Sequence, residues 1–168
     1  MSYQTRFAPL DRLITHLDSV VPSLADPFLR SHYVGFLCVS VVTVFELCAK
    51  DIFCTFAEKK HKSFGAYCSN VFEKMNGRIS ISDLKDVHAK KFGEKYVRRL
   101  AVRLDAKEKE SLINSRISIK SSYGNVIVWR NSFAHEGVLP ANASYGETRK
   151  GYECGKHVLE CLDFAMTR

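Results

Sequence analysis

Between Tyr33 and Phe45 the chain runs thirteen residues without a charge. The run lies inside a longer segment that opens at Asp26-Pro27, an N-cap residue followed by a proline in the first helical turn. The helical pattern continues to about Lys60. An uncharged stretch of this kind belongs in a bilayer or in the middle of a helical bundle. Spanning a bilayer takes about 20 apolar residues, and Glu46 and Lys50 close the run before that. The expectation is therefore a central bundle helix, with no membrane segment.

Helical signals dominate the rest of the chain. Pro9–Val21 carries Leu10, Leu13, Ile14, Leu17 and Val20 at helical spacing, and Pro22 helps to end it. Gly65–Met75 suggests a short helix, and Asn76-Gly77 a turn. Ser80 or Ser82 caps a further segment up to Phe92. Glu94 to about Leu112 is charged and amphipathic, with Val97, Leu100, Ala101 and Leu104 inward. Arg116–Lys120 alternates apolar and polar residues, as a short strand or an extended connector would. A last helix covers Ser144–Met166, packing through Tyr152, Val158, Leu159, Leu162 and Ala165. This predicts an all-α bundle of about five helices. The length of 168 residues suits one domain over the whole chain, 1–168.

The segment Ser121–Glu136 holds the chemistry. Tyr123, Val126, Ile127, Phe133 and Ala134 share one helical face, and Arg130 sits in the middle of it. A guanidinium keeps its charge, so on an apolar face it must meet a carboxylate, a phosphate or a wet cleft. His135 follows five residues later, and Gly137 and Pro140 place it at the helix end. Imidazole titrates near neutrality and can move a proton. The planar guanidinium fork of Arg130 suits two phosphate oxygens at once. Asn131 can donate to a phosphate or orient the histidine.

Arg130-Asn131-Ser132-Phe133-Ala134-His135 resembles the Arg-x4-His motif of HEPN domains, in the variant with Asn after the Arg and Ala before the His. Many members of that family are metal-independent ribonucleases of toxin–antitoxin and phage-defence systems. The resemblance implies a HEPN-like helical bundle and a homodimer whose two motifs face one cleft. It implies RNA as substrate, an antitoxin or regulatory protein as a further partner, and no cofactor or metal. Arg130, His135 and Asn131 are then the catalytic candidates. Cleavage by the ribose 2′-OH would leave a 2′,3′-cyclic phosphate and a 5′-OH. The rival reading is a non-catalytic HEPN-type module that binds a nucleotide or a protein.

Glu46 is the only acid between Tyr33 and Lys50. A buried Glu46–Arg130 pair would satisfy both charges and could orient the guanidinium. Glu46 and Lys50 are also spaced for a pair along one helix. Glu46 is thus a candidate support for the site. The net charge of +7 and pI of about 9.1 favour an acidic partner. From Lys85 to Lys109 nine basic and four acidic residues leave a net +5. Lys95, Arg99 and Arg103 form one stripe on a continuous helix, either a track for RNA phosphates or a solvated face. Trp129 and Phe133 could stack bases, but core or dimer packing suits them better. The six cysteines form no Cys-x-x-Cys pair, and no His cluster has zinc spacing. Buried free thiols and the absence of a signal peptide predict a cytoplasmic protein. His16, His32, His61, His88 and His157 have no evident partner and receive no role.

Overall fold

The computed structural model describes residues 3–73 and 75–167. Among them there is no strand, and six α-helices carry the fold. They are α1 (Phe7–Ser23), α2 (Pro27–Lys60), α3 (Lys62–Phe72), α4 (Glu94–Ser115), α5 (Ile119–Glu136) and α6 (Tyr145–Thr167). A wide-turned π-helix, Asp83–His88, runs into a 3-10 turn, Ala89–Phe92, just before α4. No helix of the described residues is long and apolar enough to cross a membrane.

The axis of the molecule is α2. Asp26 caps it, its carboxylate accepting from the Phe28 N–H at 2.8 Å, with Pro27 at the first helical position. Val34, Leu37, Cys38, Val41, Val42 and Phe45 fill the uncharged run, and all are buried. The Phe45 ring lies between Tyr123 of α5 (5.4 Å between centroids) and Tyr152 of α6 (6.0 Å). Two glycines let α6 come this close. A Cβ on Gly151 would stand 2.1 Å from Val126, and one on Gly155 would stand 1.9 Å from Phe45.

Local chemistry moves some boundaries. α1 starts at Phe7 and ends at Ser23, so Pro22 lies in its last turn rather than beyond it. The lost N–H breaks the ladder only one residue before the helix stops. α3 starts three residues early because the His61 ring accepts from the Ser63 N–H at 3.2 Å and so acts as a cap. Ser80, not Ser82, caps the following segment: its hydroxyl accepts from the Asp83 N–H (3.1 Å), and Asp83 accepts in return from Ser80. Arg116–Lys120 is not a strand. Arg116 ends α4 in the left-handed conformation (φ 57°), and Ser118 caps α5 by accepting from the Ser121 N–H. Glu108 reaches across to accept from the Ser118 hydroxyl and the Lys120 N–H, which fixes the α4–α5 corner.

Candidate functional site

Asn76-Gly77 forms a turn with both residues at positive φ, 48° and 75°. The Arg78 N–H closes it on the Met75 carbonyl at 3.0 Å. This is the type I′ geometry that Asn-Gly favours. Three neighbours hold the turn in place. Glu46 of α2 accepts from the Gly77 N–H at 2.6 Å. The His88 Nε2 meets the Arg78 carbonyl at 2.7 Å. The Tyr123 hydroxyl of α5 donates to the Ile79 carbonyl. A carbonyl can only accept, so His88 carries its proton on Nε2. Its Nδ1 is buried without a partner. Burial and the charges of Lys91 and Arg78 lower the His88 pKa, outweighing the Arg78 carbonyl and Asp83.

Arg130 extends from α5 onto this turn. A Cβ on Gly77 would lie 2.8 Å from both Nη atoms, so the guanidinium lies against the glycine where any larger residue would stand. Its Nη1 donates to Asn131 Oδ1 at 2.9 Å. Arg130 makes no ion pair within the described residues. Glu46 is close enough to feel the arginine's charge but is engaged elsewhere. Its Oε1 meets Lys50 Nζ at 2.8 Å, one turn along α2, with the two side chains only 16% and 22% exposed. Lys50 also donates to the Glu73 carbonyl at 3.1 Å. Burial pushes the Glu46 pKa up, but the Lys50 and Gly77 hydrogen bonds and the charges of Lys50 and Arg130 prevail and hold it below the ordinary value. Of the two partners the sequence offered Glu46, Arg130 and Lys50, the carboxylate pairs with Lys50. A partner four residues away on the same helix needs no long-range ordering. The arginine is left with its charge unmatched.

His135 lies in the last turn of α5 and is exposed. Gly137, at φ 70°, ends the helix, its N–H donating to the Phe133 carbonyl at 2.9 Å. His135 makes no hydrogen bond or ion pair with the described residues. On a regular helix it stands about 140° round and roughly 7.5 Å along from Arg130. Their backbone positions therefore lie on different sides of α5. Asn131 is exposed, and with its oxygen taken by Arg130 its amide N–H groups face outward as donors.

Trp129 is 3% exposed and belongs to the core. Phe133 packs on Gly35, edge-on to His32 and Phe36 of α2. The stripe of Lys95, Arg99 and Arg103 lies elsewhere. Arg103 stacks on Phe164 of α6 at 4.7 Å. Tyr96, beside Lys95, touches Phe56, which lies about 15 Å along α2 from Glu46. Sequence patterns did not point to Lys50, Gly77 and His88 as a group. Their only signals were the i, i+4 spacing and the Asn-Gly pair. Among the described residues no three of His, Cys, Asp or Glu are grouped to hold a metal ion.

A helical bundle with an Arg-x4-His motif at the end of its penultimate helix defines the HEPN class. The model of the RiboL-PSP-HEPN family matches residues 5–167, and the chain belongs to this family. No curated protein and no solved structure matches it.

Proposed function

We propose that this HEPN domain is a metal-independent endoribonuclease that acts as a toxin or anti-phage effector. The observation that carries the reading is Arg130: a half-buried cation, seated on a glycine turn, with no carboxylate paired to it. Such a group is ready for a phosphate. In the reaction the ribose 2′-oxygen attacks phosphorus and the bond to the 5′-oxygen breaks. His135 moves the proton, as base toward the 2′-OH or as acid toward the leaving oxygen. Arg130 stabilises the charge that grows on the phosphorane, and Asn131 adds a donor. Since Arg130 and His135 point apart on one helix, a two-fold dimer through α5 supplies each arginine with a histidine from the partner. The exposed α5 face bearing Val128, Asn131 and His135 is available for this.

The test is incubation of the purified protein with RNA in EDTA. Cleavage with cyclic-phosphate ends is expected, and His135→Ala and Arg130→Ala should each lose on the order of 10²–10⁴ in rate. Full activity in either variant, or activity that needs magnesium, defeats the reading. The alternative is a nucleotide- or protein-binding module, favoured by the separation of His135 from Arg130 within one chain. A monomer in light scattering that binds nucleotide without cutting RNA would establish it.

A further inference from the structure

The α2–α3 hairpin turns on a single residue, His61. Just beyond it the two helices nearly touch: a Cβ on Gly65 would lie 3.0 Å from the Cα of Glu58. One turn further from the hinge, the free thiols of Cys54 on α2 and Cys68 on α3 interact across the hairpin. They differ in access. Cys54 is half-buried and lines a surface pocket of about 270 Å³ with Glu58, Lys62, Gly65, Ala66 and Ser69. Cys68 is 2% exposed.

We propose that Cys54 and Cys68 form a redox-active pair, with Cys54 attacked by a peroxide through the pocket and Cys68 resolving the product to a disulfide. This stands independently of the ribonuclease reading. In the first step the Cys54 thiolate attacks one oxygen of the peroxide. The O–O bond breaks, a sulfenic acid forms, and the other oxygen leaves as hydroxide or alkoxide. In the second step the Cys68 sulfur displaces that hydroxyl as water, and the S–S bond forms. The two electrons lost by the sulfurs are those gained by the peroxide. The neighbours suit the roles. The interaction with Cys68, helped by Ser69 and the Lys50 charge, holds the Cys54 thiol below its ordinary value against burial and Asp51, and the same interaction, with burial, pushes Cys68 up. Burial pushes Cys38, Cys48, Cys154 and Cys161 up. Glu46, Lys50 and Cys54 follow one another at four-residue spacing on α2. The pair therefore lies two turns from the carboxylate that holds Gly77.

The experiment treats the full chain with hydrogen peroxide, quenches with an alkylating agent, and reads intact and peptide masses. The expected result is loss of two hydrogens, a cross-link joining the Cys54 and Cys68 peptides, and reversal by dithiothreitol. Cys68→Ser should stop at a Cys54 sulfenic acid trapped by dimedone, and Cys54→Ser should be inert. No mass loss, a bridge using any other cysteine, or unchanged oxidation of Cys54→Ser overturns the proposal. In case a variant fails to fold, the native wild-type chain gives a second measure. Cys54 should be the first of the six cysteines alkylated near pH 7, and reaction no faster than that of Cys38 or Cys161 overturns the assignment.

Discussion

Gly77→Ala is the most informative single change, because it separates fold from site. The residue has φ 75°, where an alanine costs about 1–2 kcal/mol more than glycine. For a chain of this size each kcal/mol shifts Tm by roughly 2–4 °C, so a fall of about 2–8 °C is expected. The new Cβ would stand 2.8 Å from both Nη atoms of Arg130, whereas ordinary contact begins at 3.4 Å. The end of a flexible side chain can move away, so the protein still folds, but the guanidinium shifts by about 0.6 Å or more. Misplacement of a positioned group by about 1 Å can cost 10²-fold, so a loss between roughly tenfold and 10² in RNA cleavage is expected. The control is Asn76→Gly, which relaxes φ 48° and adds no atom beside the guanidinium. It should keep full activity and at least the wild-type Tm. The assay pairs thermal unfolding with cleavage rates measured well below both midpoints. An unchanged Tm in Gly77→Ala refutes the left-handed turn. A lowered Tm with wild-type cleavage refutes the seat of Arg130 on Gly77 as its working position.

The pH profile should carry the signature of His88. Its folded pKa lies below the ordinary imidazole value of about 6.5. The folded state therefore binds fewer protons there, and stability present above that value is lost as pH falls toward the folded one. His88→Gln keeps a donor for the Arg78 carbonyl and should remove that part of the slope; an identical slope would rule out His88 as its source. Gly155→Ala presses on the wholly buried Phe45 ring and should cost about 1–3 kcal/mol or more in denaturant unfolding. Gly124→Ala, in open space on α5, should gain up to about 1 kcal/mol, and the same sign for both would contradict the packing described. Replacing Lys95, Arg99 and Arg103 together by Gln should leave the salt dependence of RNA binding unchanged, given their distance from the turn. A slope reduced by about 0.7 per lost contact would instead make the stripe an RNA track.

What the sequence disclosed was local and periodic. Asp26-Pro27 announced the start of α2, and Gly137 the end of α5, because caps depend on a few adjacent residues. The all-α class followed from the same periodicities. The His61 cap of α3 was hidden because a ring nitrogen rarely plays that part. The site was legible in its residues and not in its wiring. Arg130 on an apolar face and Glu46 in an uncharged run each needed a partner, and pairing them was natural. The i, i+4 spacing offered Lys50 for one carboxylate oxygen, but nothing local shows that a backbone N–H thirty-one residues away would take the other. Nor could periodicity show that His88 would brace the same turn, since that contact joins two irregular segments.

The Gly77 amide has a further consequence. Its N–H is tied to a side-chain carboxylate rather than to a helical ladder. Its hydrogen–deuterium exchange therefore reports the undocking of one turn, not the melting of a helix. In acid, as Glu46 takes up a proton, that amide should lose protection while the amides of α2 and α5 keep theirs. A single exchangeable proton then gauges how firmly the seat of Arg130 is closed.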